Sequence, residues 1–294
     1  MAHRIAGIAA AQAHRDLGID RTRYVSVHQA LKTAGVVGMA QPMPRLFGVY
    51  FSPADNGPAI LLNANLNIVT QRHTAAHELG HHQLRHRTAA DEDLSPALRW
   101  GNGSWPDEEK TAEAFAAWFL MPCPAVLAGL GRICQGLPTG PEHVYELARE
   151  LGTSYAGTVR HLQNLRLLEA DRAHQWAKIS PAALRSSLAG GAALPADAHV
   201  HVITASSHLQ RVHADVGDVL IVRGDGAGFV SLPKGLARWT ATAQTATPLE
   251  AAVVTDELSE PVVLDVSAAS RGEPVQLTVV RESPRAGVHD VWPD

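Results

Sequence analysis

His77-Glu78-Leu79-Gly80-His81 holds the residue types best suited to chemistry in this chain. A spacing of four is about one helical turn, so both imidazoles would share a face, about 6 Å apart along the axis. Two neutral imidazoles so placed can hold one metal ion, and Glu78 is then close enough to serve as general base on a bound water. Thr74-Ala75-Ala76 before and Gln83-Leu84 after suit a helix, and no proline interrupts the segment. His73 falls on the same face but lies eight residues, about 12 Å, from His81. Ligand atoms around tetrahedral zinc are only about 3–4 Å apart. One straight helix therefore cannot supply three histidine ligands. A longer H-E-x-x-H-x-x-G-x-x-H pattern is also excluded, because Leu84 and Arg87 occupy the Gly and His positions. His82 and His86 read as surface residues near the site entrance.

The third ligand must come from another element, and the stretch from Asp107 to Pro122 offers carboxylates. Glu109 and Glu113 lie one turn apart on a helix that otherwise presents Phe115, Phe119 and Leu120 to a core. One acid can bind the metal while the other hydrogen-bonds a ligand histidine. Tyr145, Tyr155 and His143 could each donate to a developing oxyanion, and spacing selects none of them.

These two segments together resemble the ImmA/IrrE metallopeptidases. The pattern is His77-Glu-Leu-Gly-His, then a later Glu-x-x-x-acid-x-Phe-Ala-Ala-x-x-Leu-Met-Pro helix. Counting back from Met121-Pro122, the resemblance places the metal-binding Glu at Glu109. Glu113 stands where the family usually has Asn or Asp, behind a ligand histidine, with Glu108 as a further acid. It implies a zinc ion, with manganese as the alternative. It also implies a narrow activity, cleavage of a helix-turn-helix repressor at few sites, which relieves repression in a DNA-damage (stress) or mobile-element response.

The elements around the site define an α+β multidomain chain. Its 294 residues and 31.4 kDa exceed one ordinary domain of about 100–200 residues. Residues 1–136 read as a small zincin-like peptidase domain. Helices are expected near the start, over 23–33, 69–86 and 107–120, and strands over 46–52 and 59–63 are joined by a turn at Asn56-Gly57. A polar loop spans 88–106. Residues 137–180 read as a helix-turn-helix, with Gly152 at positive φ in the turn and Thr153 or Ser154 capping the second helix. Residues 181–196 form a linker. The period then drops to two, and 197–294 reads as a β-sandwich. Short stretches of it resemble immunoglobulin-like domains, and the family resemblance implies a sensing or interaction role, with a stabilising β module as the alternative.

Composition narrows the function. Hydrophobic residues are 46% and charged ones 18%, so the chain can bury cores. The formal net charge of −4 excludes a protein that binds polyanions through overall positive charge. Only Cys123 and Cys134 are present, which excludes a disulfide scaffold and fits a reducing cytoplasm. No apolar run of about 18 residues crosses a membrane. The alanine-rich start is broken by Gly7 and Gln12 and reads as a helix presenting Ile5, Ile8, Ala9 and Leu17 to a core, not as an export signal.

In the helix-turn-helix, Arg160, His161, Gln163, Asn164 and Arg166 could meet DNA or a repressor. Acids and bases balance over this zone, so the DNA affinity expected is weak. The reading is a cytoplasmic zinc endopeptidase acting on a repressor. The alternative is a transcription regulator whose peptidase-like domain is non-proteolytic, and a third reading is a general peptidase of unfolded chains. Glu78 favours the first, since a binding-only descendant has no use for a general base. A helix-turn-helix would be superfluous in the third.

Overall fold

The structure is a computed structural model that describes residues 2–90, 106–192, 194–195, 197–207, 210–224, 226–239, 250–267 and 274–281. It is mixed α/β, with three small sheets and two compact units. Most of the polar loop read over 88–106 lies outside the described residues.

The first unit holds Met1–Ala128 and Leu151–Gly157. Its helices are α1 (Ala2–Asp16), α2 (Val27–Thr33), α3 (Ile68–Gln83) and α4 (Asp107–Leu120). Its strands are β1 (Val37–Gln41), β2 (Gly48–Phe51), β3 (Ala59–Asn63) and β4 (Ala89–Ala90), in the order β1-β3-β2-β4. β2 pairs antiparallel with β3, with Val49 opposite Leu61, and β1 adds parallel to β3. The turn between β2 and β3 has Asn56 at φ 66, as the Asn-Gly signal predicts. Helix α2 begins later than expected because Ser26 caps it, its side chain accepting from Gln29 N. β1 alternates only between exposed and half-buried positions, so it carries no core signal in the sequence.

The N-terminal helix forms, but on a different face from the one expected. Ile5 and Ile8 are 46% and 72% exposed, while Ala6, Ala10, Ala13 and His14 are buried. Alanines let α1 approach α4 closely, and that contact outweighs burying the two isoleucines. His14 Nε2 donates to Phe119 O at 2.9 Å, and its ring stacks on Phe119.

Helix α3 packs against β2, β3 and α4. Asn67 caps its start by accepting from Thr70 N at 3.0 Å. Almost its whole surface is buried from Ile68 to His81. Arg72 donates to the carbonyls of Val25, Leu151 and Gly152 and stacks over Tyr24, so the helix also ties down two loops.

The second unit holds Gly129–Glu150 and Thr158–Ser283. Helices α5 (Cys123–Cys134), α6 (Pro141–Leu151) and α7 (Tyr155–Asn164) lead into it, followed by α8 (Ala170–Trp176) and α9 (Pro181–Leu188). Gly152 takes φ 63 in the turn between α6 and α7, and Ser154 Oγ accepts from Gly157 N. Among the described residues eight strands follow: β5 (Val200–Ile203), β6 (Arg211–Ala214), β7 (Val219–Val222), β8 (Gly228–Phe229), β9 (Leu236–Arg238), β10 (Glu250–Val254), β11 (Val262–Ser267) and β12 (Val275–Arg281). They make two sheets, β5-β7-β10-β9 and β6-β12-β11-β8, which contribute Leu220, Ala252, Leu264, Leu277 and others to one apolar cluster. Each sheet includes a parallel pair, β5 with β7 and β6 with β12. Apolar patterning in the sequence reveals β5, β7, β11 and β12 but neither the other four strands nor that direction.

Candidate metal centre

The H-E-x-x-H segment sits in the last turns of α3, and its three functional side chains, His77, Glu78 and His81, are each about 1% exposed. Two glycines explain how other elements reach them. A Cβ on Gly80 would lie 3.0 Å from Phe115 Cδ1 and 3.2 Å from Ala112 Cα, so Gly80 lets α4 lie directly against α3. A Cβ on Gly48 in β2 would lie 2.7 Å from Glu78 Oε1 and 2.6 Å from Thr74 Cγ2. The Glu78 carboxyl thus occupies space that any larger residue on β2 would take.

Because α4 approaches so closely, its acids meet the histidines. Glu109 Oε2 is 3.1 Å from His77 Nε2, and Glu109 Oε1 is 3.5 Å from His81 Nε2. The two Nε2 atoms are 3.1 Å apart. His77, His81 and Glu109 each offer a ligand atom, all within 4.8 Å of one another. Glu113, one turn along, has Oε2 3.3 Å from His77 Nδ1 and Oε1 2.9 Å from His73 Nε2. Glu108 points into solvent.

The donor set fits a divalent cation. Two imidazole nitrogens and one carboxylate oxygen converge at roughly the mutual spacing of about 3–4 Å that bonds of about 2.0–2.2 Å produce. With a cation bound, Glu113 would accept from His77 Nδ1–H and leave the His77 Nε2 lone pair for the ion. Without a cation, the same atoms share protons. Burial opposes a charge on His77, yet hydrogen bonds to Glu109 and Glu113 outweigh it and hold its pKa well above the ordinary value. Burial likewise opposes ionisation of Glu113, and the adjacent His73 and His77 overcome it and hold its pKa far below normal. Glu109 shifts the same way against the same penalty, through His77 and His81.

Three neighbours were not legible as site residues. His73 is too far along the helix to ligate beside His81 but holds Glu113. His86 is not a bystander at the surface: its Nδ1 is 3.0 Å from His81 Nδ1. Tyr50, buried in β2, has its ring 6.3 Å from that of His81, and its hydroxyl is 3.2 Å from His82 Nδ1. Only the richness in histidine around α3 hints at this outer ring. Of the expected oxyanion donors, Tyr145 instead accepts from Val200 N inside the second unit, and His143 Nδ1 accepts from Thr139 N.

On α7 and just beyond it, Gln163, Asn164 and Arg166 are exposed and Arg160 is half-buried. His161 is buried with Thr158 and Leu162. The five side chains therefore do not make a single exposed face, because 161 falls on the core side of the helix.

An H-E-x-x-H helix backed by a small sheet, with an acid supplied by the next helix, is an arrangement of metallopeptidases. Residues 45–157 match the family model of the IrrE N-terminal-like domain, which supports a metallopeptidase of the IrrE/ImmA type. The resemblance read from the motifs is borne out over that segment, which spans β2 to the start of α7. No curated protein matches the chain.

Proposed function

We propose that the chain is a zinc-dependent endopeptidase in which His77, His81 and Glu109 hold the cation and Glu78 is the general base. The observation that carries this is the meeting of His77 Nε2, His81 Nε2 and the Glu109 carboxylate on two helices that Gly80 lets touch. When bound, a divalent cation supplies a lowered pKa for water and polarises the scissile carbonyl. Glu78 takes the proton of the attacking water and delivers it to the departing amine nitrogen, a role worth about 10²–10⁴ in rate. Glu113 fixes the His77 ring by accepting from Nδ1–H. Two imidazoles and a carboxylate favour zinc, with manganese as the alternative. The first unit is in this reading a small zincin-like domain.

The substrate in this reading is a helix-turn-helix repressor, cut at few sites to relieve repression in a stress or mobile-element response. Support comes from the family match, with the exposed Gln163, Asn164 and Arg166 offering a surface for the repressor or, more weakly, DNA. Residues 137–180 then serve docking and 197–294 sensing or interaction. The compartment proposed is the cytoplasm; among the described residues no single helix is long and apolar enough to cross a membrane.

Glu78→Gln tests the proposal, because it preserves shape and burial while removing the base. The variant should bind zinc as the wild type does and lose at least about 10²-fold in cleavage of the repressor. A chelator should abolish wild-type cleavage, and added zinc should restore it. Undiminished cleavage by Glu78→Gln would overturn the mechanism.

A further inference from the structure

We infer that His86 is a positioning residue for the cation site, accepting a hydrogen bond from His81 Nδ1–H and so keeping the His81 Nε2 lone pair free to ligate. The inference rests on the metal-site reading above and adds a residue that neither the motif nor the family match assigns.

The way α3 ends creates the contact. Leu84 closes the helix, Arg85 takes φ 58, and the chain folds back. Arg85 N donates to His82 O at 3.1 Å and His86 N donates to His81 O at 2.9 Å, the paired bonds of a Schellman cap. Glycine is the usual residue at the left-handed position, and a side chain there costs about 1 kcal/mol or more. This cap sets His86 edge-on against His81, with ring centroids 5.0 Å apart at 71° and the two Nδ1 atoms 3.0 Å apart.

One of those two nitrogens must donate. If His86 donated, His81 Nδ1 would accept, and its proton would sit on Nε2, facing His77 and Glu109. That tautomer cannot ligate. Donation by His81 Nδ1–H leaves Nε2 bare, as Glu113 does for His77. The two ligand histidines are thus oriented from behind by different means, one by a carboxylate of α4 and the other by an imidazole that follows the helix cap.

The test uses the full-length chain with Co²⁺ alone as the probe, its visible absorption reporting coordination, and Zn²⁺ competition giving affinity. His86→Leu keeps bulk and removes the acceptor; His86→Asn puts an amide oxygen near the position of Nδ1. His86→Leu should weaken Co²⁺ binding about 10–100-fold, the usual cost of losing a partner behind a ligand, and alter the visible bands. His86→Asn should recover most of the affinity and the wild-type spectrum, which a purely packing role would not predict. Binding by His86→Leu equal to wild type, or His86→Asn as weak as His86→Leu, would overturn the inference while leaving the metal site standing. A wild-type chain that binds no Co²⁺ overturns the metal-site reading itself. Should His86→Leu not fold, histidine-ring ¹⁵N spectra of the zinc-loaded wild type decide: a hydrogen-bond coupling from His81 Nδ1–H to an unprotonated His86 Nδ1 supports the inference, and a proton on His86 Nδ1 refutes it.

Discussion

Individual side chains in the first unit are held in one charge state by what surrounds them, and His14 is the plainest case. Burial drives its pKa down to about 4, against a hydrogen bond to Phe119 O that raises it. The folded value lies below the ordinary value of about 6.5, so the unfolded chain binds the proton more readily. The neutral ring therefore stabilises the fold fully above about pH 6.5, and that contribution is lost as pH falls towards 4. By pH 5 the loss is about 2 kcal/mol. His14→Gln retains an amide N–H for Phe119 O and does not titrate. Between pH 7.5 and pH 5 it should lose about 2 kcal/mol less stability in urea melts than the wild type. Equal losses in the two proteins would show that His14 does not set this dependence.

Whether His77, His81 and Glu109 can meet is decided by two helices and the small residues between them. A glycine within a helix is costly, and Gly→Ala at such a position ordinarily gains about 1 kcal/mol. The gain is denied at Gly80 because a Cβ would press on Phe115 and Ala112. Gly80→Val should separate α3 from α4, lowering the melting temperature and weakening Zn²⁺ binding about tenfold or more, since the Glu109 carboxylate would move from the histidine nitrogens. Isothermal titration against Zn²⁺ checks this, and wild-type affinity in the variant would refute the close-approach account. Much at this scale was legible. The His77/His81 spacing announces a shared helical face, and the Glu109/Glu113 spacing announces acids on a second. Spacing alone did not reveal which acid faces the Nε2 atoms and which lies behind His77, because that depends on the rotation of α4 set by Phe115, Ala112 and Gly80; the family pattern counted back from Met121-Pro122 pointed to Glu109. The buried face of α1 was misread for a related reason. Large apolar residues ordinarily mark a core face, but close helix packing selected Ala6, Ala10 and Ala13 and left Ile8 outside.

At the scale of the molecule, local and long-range information part ways. Apolar patterning exposed β5, β7, β11 and β12 but not β6, β8, β9 or β10, and the parallel pairings of β5 with β7 and β6 with β12 join segments whose register no local pattern encodes. His86 was hidden likewise, since an Arg at a left-handed cap does not announce a chain reversal. The central claim is that residues from two separate helices of the first unit bind one ion. Zinc-edge X-ray absorption on the metal-loaded chain measures this directly, in the wild type and in Glu109→Gln. The account predicts two histidine nitrogens and carboxylate oxygen at about 2.0–2.2 Å, with zinc lost or more weakly held in the variant. Sulfur scattering near about 2.3 Å, or a zinc shell and affinity unchanged by Glu109→Gln, would contradict it.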